Sequence, residues 1–123
     1  MFIKIKKNCG ILMENNAMEA GSVVRVSSNF LINLDQVAEI SFYTIKEEKH
    51  RQTLEHGDFL IPMSTRVLHL TMDYRYSSHR EDRPGFSDRL INQRAYYKLF
   101  FLPECPGEYE QLRSHIEKLV CNI

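Results

Sequence analysis

The chain has 123 residues, of which 43% are hydrophobic and 26% charged, and its sixteen basic side chains balance sixteen acidic ones. That is the size and composition of one folded domain with its own core, and it excludes a disordered chain. It also excludes a large net field that would steer the molecule toward nucleic acid or anionic lipid, so such binding would need a local patch.

The first predicted element is a short strand over residues 2–6, where Ile3 and Ile5 alternate with Lys4 and Lys6. A second covers residues 22–27, with Val24 and Val26 alternating with Arg25, and Ser28-Asn29 supplies the turn that follows. Between residues 31 and 45, Ala38, Ile40 and Phe42 share one face while Glu39 and Ser41 take the other, the pattern of a half-buried strand. Residues 46–56 are strongly charged and read as a loop or a short exposed helix. Gly57-Asp58 turns the chain into Phe59-Leu60-Ile61, an apolar run that Pro62 ends or confines to a sheet edge.

The alternation is sharpest over residues 67–76, with Leu68, Leu70, Met72, Tyr74 and Tyr76 on one side and His69, Thr71, Asp73 and Arg75 on the other. Residues 77–92 then break all periodicity, and a connection of that length is commonly functional or mobile. Over residues 94–102 the inner set is Ala95, Tyr97, Leu99 and Phe101; Phe100 and Leu102 make the other face apolar too, so cover on both sides is expected. The last element is a helix from about Pro106 to Cys121, whose stripe is Tyr109, Leu112, Ile116, Leu119, Val120 and Ile123. Pro106 suits the first turn, and Glu108 and Glu110 near the start with Lys118 near the end agree with the helix dipole. The fold class expected is α+β: one domain over residues 1–123, a mainly antiparallel sheet packed on a C-terminal amphipathic helix.

Cys9, Cys105 and Cys121 are odd in number and form no CxxC pair, which points to a reducing compartment. The chain shows neither a secretory signal nor an apolar run of membrane-spanning length, so a cytoplasmic protein is expected. The segment Ile32-Asn33-Leu34-Asp35-Gln36-Val37, continued by Ile40, and the order of strands then helix resemble small bacterial and phage proteins with a pleckstrin-homology-like build. The resemblance implies a partly open barrel and a binding scaffold, and it brings no catalytic residues with it.

Glu47, Glu48, His50, Glu55, His56 and Asp58 are competent metal ligands, but their spacing matches no zinc or EF-hand signature, and a solvated charged connection is the plainer reading. His69, on the outward face of a strand, and His115, beside the helix stripe, read as surface or packing residues. Cys105 precedes the helix, where a lowered thiol pKa is physically available, yet it reads better as a structural thiol. No metal, cofactor or catalytic residue is therefore assigned.

The most distinctive chemistry lies in and around residues 77–92. Arg80, Arg83, Arg89 and Arg94 stand among Tyr74, Tyr76, Tyr96 and Tyr97, with His79 and Phe86 inside the same stretch. Arginine with aromatics suits protein hot spots and single-stranded nucleic acid alike. Glu81, Asp82 and Asp88 dilute the positive field, which favours a protein partner. The expected function is a non-enzymatic protein-binding domain, an adaptor or inhibitor, contacting its partner through Tyr76, His79, Arg80, Arg83, Phe86, Arg89 and Arg94. Nucleic-acid binding through the same surface and a metal- or thiol-dependent enzyme are the alternatives. Self-association is open as well, since sheet edges and the apolar positions Phe100 and Leu102 need cover.

Overall fold

A computed structural model of the chain describes residues 1–53, 57–73 and 95–121. The strands are β1 (Phe2–Ile5), β2 (Asn8–Asn15), β3 (Ser22–Val26), β4 (Phe30–Asn33), β5 (Val37–Thr44), β6 (Lys49–Thr53), β7 (Gly57–Ile61), β8 (Arg66–Met72) and β9 (Tyr96–Phe101), and helix α1 (Pro106–Cys121) ends the series. Seven strands form one open sheet in the order β5-β8-β9-β2-β3-β6-β7, and β1 and β4 form a separate antiparallel ribbon. All neighbours in the sheet are antiparallel except β3 and β6, so the sheet is mixed. The architecture is the expected α+β one, a mainly antiparallel sheet with a C-terminal helix.

Alternation assigns the two faces. Ile11 of β2, Leu68 and Leu70 of β8, and Leu99 and Phe101 of β9 point to one side, where Ile3, Ile5 and Ile32 of the ribbon and Tyr109 and Ile116 of α1 close over them. Tyr109 anchors the first turns of the helix: its ring meets Phe101 edge-on at 5.4 Å and Phe42 at 6.2 Å, and the Arg66 guanidinium lies 5.2 Å from its centroid. Ile116 is fully buried one further stretch along the same stripe. Truncating it to Ala would cost about 2–5 kcal/mol through lost transfer energy and the cavity left behind.

The opposite face is divided. Leu12, Val67, Phe100 and Leu102 form a second apolar cluster with Val23, Ile45 and Ile61, and Phe59 packs on its margin. Phe100 and Leu102 are thus covered from within the chain by the curling β6–β7 hairpin, so they give no ground for self-association. Farther along the same strands this face turns polar.

Three expectations need correction. Residues 49–53 form strand β6, not a loop or helix, because pairing with β7 and, in parallel, with β3 satisfies the backbone of a segment too charged to show a strand pattern. Ala38 does not join Ile40 and Phe42 inside: the register with β8 slips between Val37 and Glu39, which puts Val37 against the core and leaves Ala38 exposed. Strand β2, central in the sheet, has no counterpart among the predicted elements. Between β4 and β5 the chain turns at Asn33. Leu34–Gln36 form a 3-10 turn capped by the Asn33 side chain, which accepts from the Asp35 N–H at 3.0 Å.

Candidate functional site

The arginine-bearing stretch and its tyrosines, namely Tyr74, Tyr76, His79, Arg80, Arg83, Phe86, Arg89 and Arg94, lie outside the described residues. The structure does show where that stretch begins and ends. β8 stops at Met72 and β9 starts at Tyr96, with the Met72 N–H donating to the Ala95 carbonyl at 2.9 Å, so the described residues on either side of 74–94 lie side by side at one end of the sheet.

At that end, the face opposite α1 carries a cluster of polar side chains. Its centre is Glu14 on β2, which is 8% exposed. Three donors from two other strands converge on its carboxylate. Arg51 Nε of β6 approaches Oε1 at 3.3 Å, the Tyr96 hydroxyl of β9 donates to Oε2 at 2.9 Å, and Lys98 Nζ, directly across from Glu14 in the ladder, stands 4.0 Å from Oε2. Without these partners an ionised carboxylate at that depth would be strongly disfavoured. Arg51 reaches Glu14 from β6, which is joined to the β2–β3 pair through its parallel pairing with β3.

Around this centre the alternation of β8 and β5 places His69 and Thr71, then Glu39, Ser41 and Tyr43, on the same side. His69 lies opposite Lys98 on one flank and Ser41 on the other, and its ring meets Tyr96 edge-on at 5.7 Å. Lys98 Nζ sits 5.8 Å from the Tyr96 ring centroid. The Asn16 side chain accepts from the Tyr96 N–H at 3.1 Å and so secures the start of β9.

Protonation states follow from this geometry. Burial, then the hydrogen bond and charge of Glu14, push the Tyr96 hydroxyl up to about 12, with Arg51 opposing. Burial first and Lys98 second hold His69 below the ordinary histidine value, against Glu14 and Glu39. Burial, then Glu14, raise Tyr43. At neutral pH the face therefore presents neutral phenols, a neutral imidazole with one donor and one acceptor, and a lysine, all steadied by a compensated carboxylate. Such a surface can recognise mixed polar groups through hydrogen bonds.

The structure separates two tyrosines that the sequence reading grouped. Tyr96 joins the polar face, whereas Tyr97 turns to the helix side and stacks on Phe30 at 6.5 Å. His50 pairs with Asp58 across the β6–β7 hairpin at 3.5 Å, both well exposed, while Glu55 and His56 lie outside the described residues. Among the described residues, no group of three or more His, Cys, Asp or Glu side chains is placed to hold a metal ion. Cys105 is engaged in packing: its Sγ lies 3.1 Å from the Gly10 carbonyl and 3.5 Å from that of Leu102. Among the described residues no helix is long and apolar enough to cross a membrane. Glu14, Arg51, Lys98 and Tyr43 were not singled out from sequence. The available signal was a single carboxylate closing the apolar run Ile11-Leu12-Met13.

Comparison with protein families, curated proteins and solved structures finds no match for the chain.

Proposed function

We propose that the chain is a non-enzymatic protein-binding domain whose contact surface is the polar face of the sheet together with residues 74–94, which join β8 to β9. The observation that carries this reading is the Glu14 network. A nearly buried carboxylate held by Arg51, Tyr96 and Lys98 sits at the centre of a polar cluster, beside the apolar cluster on the same face of the sheet. Replacing such ionic clusters by apolar side chains is often neutral or stabilising, so stability alone gives little reason to keep one. A contact surface does, because it must present fixed hydrogen-bonding groups on a rigid support. Tyr96 and Tyr43 are of the residue type enriched at protein contacts, and the carboxylates of Glu14 and Glu39 on the same face count against a phosphate backbone. The resemblance to pleckstrin-homology-like proteins points the same way.

The test is affinity capture from the native host's extract, run side by side with three variants. Thr71→Arg places a long side chain across the open face, deletion of residues 80–88 shortens the connection, and Leu31→Glu alters the exposed outer side of the β1–β4 ribbon as a control. The reading expects a polypeptide retained by the parent and by Leu31→Glu but lost from the other two while their circular dichroism is unchanged. Retention by all four would refute it. Retention of nucleic acid, with affinity falling steeply in salt, would replace it with the nucleic-acid alternative.

A further inference from the structure

The two edges of the sheet are built differently. β7 is five residues long, is followed by Pro62 and pairs with the charged β6, all features that discourage further pairing. β5 is eight residues long with the sequence Val-Ala-Glu-Ile-Ser-Phe-Tyr-Thr, and it contains no proline, glycine or lysine. Among the described residues it pairs with β8 alone. Its one irregularity, the slip between Val37 and Glu39, lies at its start and leaves Glu39 to Thr44 in regular register.

The backbone polarity of that edge can be worked out. The Met72 N–H points to β9, so by alternation Leu70 and Leu68 also face β9, and His69 and Val67 face β5. Their partners Ser41 and Tyr43 therefore direct N–H and C=O inward to β8. The Ile45 N–H, bonded to the Thr65 carbonyl at 3.0 Å, has the same parity. Ile40 and Phe42 consequently turn their N–H and C=O groups to the side of β5 that no described strand covers.

We propose that β5 pairs antiparallel with β5 of a second copy of this chain, about a two-fold axis through Ser41. In this register Ser41 faces Ser41 of the second copy, Ile40 faces Phe42, and Glu39 faces Tyr43. The Ile40–Phe42 and Glu39–Tyr43 matches are complementary and each occurs twice by symmetry, while the Ser41 pair occurs once, on the axis. Ile40 and Phe42 meet on the helix side, where both are half-buried and packed against the main core, so the pairing extends that core. Glu39 and Tyr43 meet on the polar face, where a phenol can donate to a carboxylate. Ile40 and Phe42 exchange both backbone hydrogen bonds, and like charges nowhere stand opposite. A two-fold axis normal to the sheet keeps each side chain on its own face, so only registers with an even residue sum are allowed. Centring on Ile40 would set the bulge residue Ala38 against Phe42, and centring on Phe42 would set the buried Ile45 against Glu39.

The proposal is independent of the identity of any other partner and is tested on the whole chain. Sedimentation equilibrium should give a mass twice the 14.5 kDa of the monomer. Ser41 is exposed, so Ser41→Lys leaves the monomer intact and sets two ammonium groups against each other on the axis, raising the dimer dissociation constant about tenfold or more. In a non-hydrogen-bonded pair the two Cα atoms are about 4.5 Å apart, within disulfide range, so Ser41→Cys should oxidise to a covalent dimer joined through residue 41. Glu39→Cys should not, because its two copies are about 14 Å apart along the strands at ~3.4 Å per residue. Peptide mass identifies the bond against the three native cysteines. A monomeric mass at about 200 μM, or a dimer that Ser41→Lys leaves unchanged and Ser41→Cys fails to link, would overturn the proposal.

Discussion

Gly10 allows the central strand and the start of the helix to approach each other, and replacing it gives a sharp test of that packing. A Cβ added at Gly10 would sit 2.9 Å from Cys105 Sγ and 3.3 Å from Asn8 Oδ1. The thiol cannot easily retreat, since it is held between the Gly10 and Leu102 carbonyls. The Gly10 N–H and carbonyl are engaged too, by Asn8 Oδ1 at 2.8 Å and by the Leu102 N–H at 3.0 Å, which fixes the backbone on the glycine side. Overpacking of this kind costs about 1–3 kcal/mol, offset by about 0.4–1 kcal/mol from the lower entropy of the unfolded alanine chain. The net loss for Gly10→Ala is therefore about 1–2 kcal/mol, or a fall in Tm of about 4–8 °C. In a Cys105→Ala background the clashing sulfur is absent and the Cys105 Cβ stands 3.5 Å away, an ordinary contact. Urea unfolding of the four proteins of this cycle should show Gly10→Ala near neutral in the Cys105→Ala chain, a coupling of about 1 kcal/mol or more. Equal losses in both backgrounds, or no loss in the parent, would refute the packing argument.

The polar face yields further expectations. The phenol of Tyr96 is raised to about 12, so the stability it confers is full below about pH 10 and is lost as pH climbs from 10 to 12. Ultraviolet titration should find a late-ionising tyrosine that Tyr96→Phe abolishes, at a stability loss of about 1–2 kcal/mol for one charge-assisted hydrogen bond. His69 has the opposite sign: its depressed pKa gives stability that is complete above about pH 6.5 and declines as pH falls through the lower, folded-state value. His69→Gln should flatten that acid limb in pH-dependent urea melts, and an unchanged limb would contradict the assignment. Arg51→Met leaves Glu14 with the Tyr96 hydroxyl as its hydrogen-bond donor and Lys98 as a charge 4.0 Å away, and equilibrium unfolding should register a loss of about 1–3 kcal/mol.

Local pattern made most of the outer framework legible. Ile3 and Ile5, the Leu68-Leu70-Met72 series, and Tyr109 with Ile116 all lie where their periodicity places them. β2 escaped because its strand is interrupted by Gly10, whose value is the approach of Cys105 from ninety-five residues away, and because Ile11, Leu12 and Met13 face both covered sides without alternating in polarity. β6 escaped because its partners, not its residues, make it a strand. The Glu14 network is illegible for the same reason: it joins β2, β6 and β9, and it exists only once the parallel β3–β6 pairing has placed β6 in the sheet. The arginines of residues 77–92 are conspicuous in the sequence, whereas the polar face of the sheet is marked by no repeat or spacing in the chain.

The central claim is that the polar face, and not the ribbon behind the sheet, is what a partner touches. Photo-crosslinking in the native host tests it directly, with a photoreactive residue installed in turn at Thr71, at His69 and, on the ribbon, at Leu31. Adducts of one common mass from positions 71 and 69, and none from position 31, are the expected result. Adducts from position 31 alone would contradict the account.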